Sequence, residues 1–220
     1  MPAPTRRMTY PDAVSNLQTL KASVMNLDTR IFYSINDFAR NTPWLHSLMS
    51  WYANDGSAVF AALLVIGWWI ARRSTDARPI VAAMWAPLGV LSALIVYDPI
   101  ALATNETRPC NALHDIVVLH CNTDGGFPSV HAVIAAAVAA GLWQVNHRLG
   151  FVSALAALGL AISRVYVGAH YPHDVLAGLG LGAVVSLAGY FLIRPMLQRL
   201  VGAIGKTPLR VLITTQDRAA

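Results

Sequence analysis

The sequence predicts an all-α fold: a polytopic membrane helix bundle with five transmembrane helices, preceded by interfacial amphipathic helices. Three observations predict it. Of 220 residues, 55% are hydrophobic and only 12% charged, about half the charged share of a soluble domain, so too few polar side chains exist to cover a water-facing surface. Apolar runs follow one another between charged or proline-marked ends, most of them near the roughly 20 residues a bilayer asks of a helix, with the first short enough that its first turn is expected among the headgroups near Asp55. Period-2 alternation is missing, which argues against a transmembrane barrel.

Residues 1–220 are expected to form a single domain, with an N-terminal segment (1–27), interfacial helices (28–53), a transmembrane core (57–194) and a cytoplasmic tail (195–220). The first 27 residues carry Arg6, Arg7, Asp12 and Lys21 and show no apolar core followed by a small-residue cleavage site, so no cleavable signal peptide is expected there. Between Leu27 and Tyr52 the apolar Ile31, Phe32, Ile35 and Phe38 recur at helical spacing but are interrupted by Arg30, Asp37 and Arg40. A helix with that many charges is better laid along the membrane surface than through it.

The first span is expected from Ser57 to Ala71, closed by Arg72 and Arg73, and the second from Pro79 to Tyr97, where Asp98 and Pro99 disturb it. The third opens at Pro128 and ends near Trp143, the fourth runs from Gly150 to Val167 before Gly168, and the fifth from Pro172 to Ile193, closed by Arg194 and Pro195. Arg72, Arg73 and Arg78, then His147 and Arg148, then Arg194, Arg199, Lys206 and Arg210 fall on alternate ends of these spans. By the positive-inside rule those ends are cytoplasmic. The N-terminal segment, the loop from Asp98 to Phe127 and the turn around His170 then face outward. The tail after Leu200 is basic and mixed, and reads as a solvated tail without chemistry of its own. The net charge of +5 is dispersed rather than gathered in a stripe, so no nucleic-acid partner is expected. Tryptophans such as Trp68, Trp69 and Trp143 sit at run ends and read as interface anchors.

Polar residues that composition does not explain gather on the outward side: Glu106 and Arg108-Pro109, then Pro128-Ser129-Val130-His131, then Ser163-Arg164, His170 and Asp174. Arginine and histidine at the rim of a bilayer mark a site unless they only knit helices together. The guanidiniums of Arg108 and Arg164 are planar forks matched to phosphate oxygens. Ser129 and the first amides of the third span lie at a helix N-terminus, which also favours an anion. Beside such a cradle His170 can attack phosphorus, Asp174 one turn on can fix its tautomer, and His131 can protonate the leaving oxygen. Fixed cations would stabilise the transition state, so neither cofactor nor metal is required. His114, His120 and His173 sit in outer segments without a clear partner. A zinc site from His114, Asp115, His120 and Cys121 matches no familiar ligand spacing. Cys110 and Cys121 either close a short disulfide loop, if that loop faces an oxidising compartment, or stand as two separate thiols.

The three blocks resemble the signature of the type 2 phosphatidic acid phosphatase superfamily, Lys-x6-Arg-Pro, Pro-Ser-Gly-His and Ser-Arg-x5-His-x3-Asp. The third block is complete in Ser163, Arg164, His170 and Asp174; the second has Val130 in place of glycine; the first keeps Arg108 and Pro109 but has Ala101 at the lysine position. The resemblance implies that His170 forms a phosphohistidine supported by Asp174, that His131 is the general acid, and that Arg108, Ser129 and Arg164 hold the phosphate. Glu106 and Ser163, within the same blocks, join the candidate substrate-binding residues. A narrower resemblance, over residues 28–194, is to bacterial undecaprenyl-diphosphatases, through Glu106 two residues before Arg108-Pro109, the missing lysine and the run from Ser163 to Asp174. It implies hydrolysis of undecaprenyl or another polyprenyl diphosphate to the monophosphate, at the outer face of a bacterial plasma membrane, in the service of cell-wall synthesis. The rival substrates are phosphatidic acid and phosphatidylglycerophosphate; a non-catalytic scaffold or transporter is the rival from another class.

Overall fold

A computed structural model describes residues 27–213. The expectations about the first 26 residues and the end of the tail lie outside them. Within the described residues the chain is helical and contains no strand. Helix α1 covers residues 27–41, and a 3-10 turn at Pro43–Leu45 leads into α2 (His46–Asp55), α3 (Ser57–Arg72), α4 (Ala77–Thr104), α5 (Pro109–Ala112), α6 (Val130–Val145), α7 (His147–Tyr166), α8 (Pro172–Ile204) and α9 (Arg210–Ile213).

Local chemistry sets the helix ends. Asp76 accepts from the Arg78 amide at 3.0 Å and Asn146 from the Leu149 amide at 3.1 Å, satisfying first-turn donors of α4 and α7. Asn105 closes α4 in the left-handed conformation at φ 40°. Pro172 occupies the first turn of α8, where its missing N–H leaves nothing unsatisfied.

Two expected boundaries move. The second run does not stop at Asp98-Pro99, because α4 continues through Pro99 to Thr104. The fifth does not stop at Arg194-Pro195 either: α8 continues to Ile204, with Leu197 and Val201 buried. A proline removes one donor and one backbone bond, and packing by neighbouring helices outweighs that loss. Nor is the stretch after Leu200 simply solvated, since Arg72 donates to the Val211 carbonyl at 2.5 Å and Val201 and Ile213 are buried.

Three stretches are long and apolar enough to cross a membrane, Ala77–Ala112, His147–Tyr166 and Pro172–Ile204; the pair Pro43–Asp55 and Ser57–Arg72, bent by 59°, makes a fourth if counted as one span. Helix α6, at 16 residues, is shorter than a full crossing. The chain is a multi-pass membrane protein. Its outside stays apolar, with Ile95, Val184 and Leu192 exposed by 73%, 65% and 78%.

Helix α6 lies at the centre and packs against α4, α7 and α8, burying Ala132, Val133, Ala135, Ala137, Val138 and Leu142. Small residues permit this. A Cβ on Gly178 would lie 2.6 Å from the Ser129 carbonyl oxygen, and one on Gly182 would collide with the Val133 carbonyl. These two glycines, four residues apart, bring the α8 backbone directly against α6. Polar ties add register: Trp85 donates to the Ser186 carbonyl at 2.8 Å, and Ser186 to the Ala137 carbonyl at 3.0 Å. Helix α1 buries Phe32, Asn36 and Ala39 while Ile31 and Phe38 stay exposed, and Asn36 exchanges two hydrogen bonds with the Val117 backbone at 2.7 and 2.8 Å. It therefore clasps the loop between α5 and α6.

Candidate active site

Helix directions bring the ends of α4, α6, α7 and α8 together. Arg108 follows α4, Ser129 occupies the N-cap position of α6 without a side-chain cap, His131 lies in its first turn, Arg164 is in the last turn of α7, and His170 and Asp174 flank the start of α8. The opposite ends, with Ala71, Asp76, Lys206 and Arg210, line one pocket at the far side of the bundle. The Ser129 amide donates to the Asp174 carbonyl at 3.0 Å, which locks the second block to the third.

At the centre, Arg108 Nη1 lies 2.8 Å from His170 Nε2. A guanidinium only donates, so Nε2 holds its lone pair there and the proton belongs on Nδ1, facing Asp174 Oδ2 at 3.4 Å. That separation is an ion-pair distance without an aligned hydrogen bond. Burial first, then the guanidiniums of Arg164 and Arg108, hold the His170 imidazole well below the ordinary histidine range, so it is neutral at neutral pH. Asp174 Oδ2 also accepts from the Tyr171 amide at 2.8 Å, which fixes the carboxylate in the first turn of α8.

The two arginines differ. Arg108 is saturated: beyond His170, it donates to the Ala169 carbonyl, the Asp124 carbonyl and carboxylate, and the Gly125 carbonyl, all at 3.0–3.1 Å. Arg164, 1% exposed, uses Nη1 on the Ala53 carbonyl at 3.0 Å while Nε and Nη2 have no hydrogen-bond partner. Ser129 Oγ and His131 Nδ1 are likewise buried without one, and His131 lies within electrostatic reach of Arg108, Arg164 and His170. Buried polar groups that no protein group satisfies are costly and mark a place for a polar ligand. Together they suit an oxyanion.

Not every candidate residue joins this cluster. Ser163 turns its hydroxyl to the Leu160 carbonyl at 2.7 Å, so its bond lies within α7. Glu106 faces His173, both carboxylate oxygens at 3.3 Å from Nε2. His173, expected to lack a clear partner, has three, because α1 folds back across 145 positions of sequence and brings Asp28 to it. Other residues escaped sequence reasoning. Asp124, Gly125 and Gly126 frame Arg108, and a Cβ on Gly126 would lie 3.2 Å from the Arg108 side chain and 3.5 Å from Asp174; the Gly-Gly pair before the second block was the available signal. Cys110 and Cys121 are joined in a disulfide with Cα atoms 5.9 Å apart, which removes Cys121 from any zinc set. Among the described residues the only grouping with metal-ligand spacing is Glu106, His173 and Asp174.

The profile of the PAP2 superfamily matches residues 82–196, a stretch that spans α4 to α8 and all three blocks. The chain belongs to the PAP2 superfamily. The undecaprenyl-diphosphatase BcrC of Bacillus subtilis (strain 168) is 25% identical over 178 residues, covering 80% of this chain and 90% of that protein. The YbjG protein of Escherichia coli (strain K12) is 32% identical over 180 residues, covering 80% and 87%. Among solved structures, the transmembrane PAP2-type phosphatidylglycerolphosphate phosphatase of Bacillus subtilis superposes with a TM-score of 0.59 at 22% identity, over 81% of this chain and 88% of that one. This PAP2 chain is thus similar along most of its length to membrane lipid phosphatases.

Proposed function

We propose that this PAP2 phosphatase hydrolyses a polyprenyl diphosphate, undecaprenyl diphosphate first, to the monophosphate and inorganic phosphate. The observation that carries the chemistry is the line Arg108, His170, Asp174, in which a neutral imidazole turns its lone pair toward a ring of donors. The terminal phosphate would take Arg108 from His170 Nε2 and engage Ser129 Oγ and the free arm of Arg164. Nε2 then attacks phosphorus, the bond from phosphorus to the bridging oxygen breaks, and His131 gives its proton to that oxygen as the polyprenyl monophosphate leaves. Asp174 balances the charge that develops on His170. Water, deprotonated by His131, next attacks the phosphohistidine and frees phosphate and His170. Glu106 acts at the rim of the site, and Ser163 steadies the turn that carries Arg164. The proposal involves no metal and no nucleic acid.

Sequence similarity to BcrC supports the diphosphate as substrate. So does a groove of about 430 Å³ on α6, α7 and α8, walled by Ala136, Ala140, Ala154, Ala183 and Leu187 with almost no polar surface. At 1.5 Å per residue it lies about 10–20 Å along the helices from the site, where a long branched hydrocarbon tail would run. An outward-facing site is supported by the Cys110–Cys121 disulfide beside Arg108, since disulfides persist in oxidising compartments. The test is direct competition in detergent micelles between undecaprenyl diphosphate and phosphatidate, read as the ratio of kcat/KM. A ratio above about ten for the diphosphate is expected; a preference for phosphatidate or phosphatidylglycerophosphate would assign the enzyme to glycerolipids instead.

A further inference from the structure

Three carboxylates from distant parts of the chain converge on one imidazole at the mouth of the site. His173 Nδ1 lies 2.9 Å from Asp28 Oδ2 on α1, and the His173 backbone amide donates to Asp28 Oδ1 at 2.9 Å. Its Nε2 lies 3.3 Å from both oxygens of Glu106 and 3.1 Å from Asp174 Oδ1, the latter an ion-pair distance without a hydrogen bond. The ring is stacked on Tyr171 at 5.7 Å and on Phe127 at 5.6 Å, with interplanar angles of 18° and 26°.

An ionised carboxylate can only accept hydrogen bonds, and a neutral imidazole has a single N–H. With oxygens against both ring nitrogens, a neutral ring would press a lone pair onto a carboxylate. A doubly protonated ring donates from Nδ1 to Asp28 and from Nε2 to Glu106, and brings a positive charge within 3.1 Å of Asp174 Oδ1, which has no hydrogen bond of its own and whose side chain is 1% exposed. Two flanking aromatic faces favour the same charged form. The titratable groups that face the ring are Asp28 from α1, Glu106 from the outer loop, and Asp174 and Tyr171 at the start of α8.

We propose that His173 is a positioning residue of this site, an imidazolium that ties Asp28 and Glu106 to the far oxygen of Asp174 so that the near oxygen stays turned to His170. The same contact straps α1 and the outer loop across the mouth of the cleft. Asp174 thereby has two sides, one orienting the attacking imidazole and the other anchored to a cation. The proposal rests on the reading of His170 and Asp174 as the reacting pair. It adds a proton, carried outside that pair, on which their geometry depends. When the proton leaves, three carboxylates face one neutral ring, the strap loosens, and turnover falls as pH rises.

The full-length protein in lipid nanodiscs, labelled with 15N-histidine, provides a test that needs no substrate. The His173 resonances, identified by their loss in His173→Gln, should report two protonated nitrogens at pH 7. Asp28→Asn removes one facing carboxylate without touching the reacting groups, and should move the loss of that proton to lower pH by about one unit. In kinetics, Asp28→Asn should move the alkaline limb of kcat by the same amount, whereas a limb set by His131 would stay in place. His173→Gln should lower kcat about tenfold with KM changed less than twofold. A neutral His173 ring at pH 7, or an alkaline limb unmoved by Asp28→Asn, overturns the proposal. So does activity abolished by a chelator and restored by zinc or manganese, because His173 would then be a neutral metal ligand. If His173→Gln does not fold, Asp28→Asn and the 15N titration of the unaltered protein decide alone. A protein that releases no phosphate from any lipid phosphate, yet carries the doubly protonated ring, would sink the enzymatic reading and leave the ion cluster standing.

Discussion

At His170 the lone pair of Nε2 is held by Arg108 at 2.8 Å. The depressed basicity of this imidazole has a signed consequence. Because burial and two guanidiniums favour the neutral form, His170 stays competent below the pH at which an ordinary histidine protonates, and kcat/KM should not fall as the pH drops through about 6.5. A midpoint at that value would mean an unperturbed nucleophile. Arg164 offers a second test. Lysine keeps the charge but cannot hold the Ala53 carbonyl while offering two more N–H groups in one plane, so Arg164→Lys should lower kcat/KM about 100-fold. At this scale the sequence was most legible where fixed spacing brings residues together: Arg164, His170 and Asp174 meet at one end of the bundle as their spacing predicts, whereas Ser163 spends its hydroxyl on the Leu160 carbonyl. It was silent where a partner comes from far along the chain. Nothing near His173 announces Asp28, and nothing near Arg108 announces that Asp124 and Gly125 saturate it.

Helix α8 carries Asp174 only because it can approach α6 so closely. Gly178 and Gly182 face the Ser129 and Val133 carbonyls, whereas Gly180, between them, has nothing within 4 Å of its would-be Cβ. Gly182→Ala should therefore cost about 1–3 kcal/mol of stability and reduce activity by displacing the third block from the second. Gly180→Ala should be neutral or mildly stabilising. Thermal unfolding of the two variants in detergent compares them, and equal effects would contradict the packing described. The disulfide acts at the same scale, closing 11 positions of chain just after Arg108. Its loss should cost about 2–3 kcal/mol and lower phosphatase activity under dithiothreitol. Helix existence was legible from apolar runs, but helix length was not. Proline and charge at Asp98-Pro99 and Arg194-Pro195 read as stops, yet α4 and α8 pass through them because neighbouring helices supply packing that a local rule does not count.

Across the whole molecule one end of the bundle gathers the oxyanion donors and the other the basic residues around Lys206 and Arg210. Composition and span order were enough to foresee a multi-pass all-helical protein with its polar blocks at one end. The number of crossings was less legible, because α6 is short and the α2–α3 pair is bent by 59°. Cysteines placed at exposed Asn111 and Arg148 should be labelled from opposite sides of sealed spheroplasts by an impermeant maleimide; labelling of both from outside would contradict the orientation. If His170 becomes covalently phosphorylated, rapid acid or base quench after mixing with undecaprenyl diphosphate labelled at the terminal phosphate should trap the phosphoenzyme. On this reading an acid-labile, base-stable phosphoenzyme is expected in the unaltered protein and missing in His170→Ala, with turnover reduced on the order of 10,000-fold or more. Undiminished turnover in His170→Ala, or label bound in that variant, would contradict it.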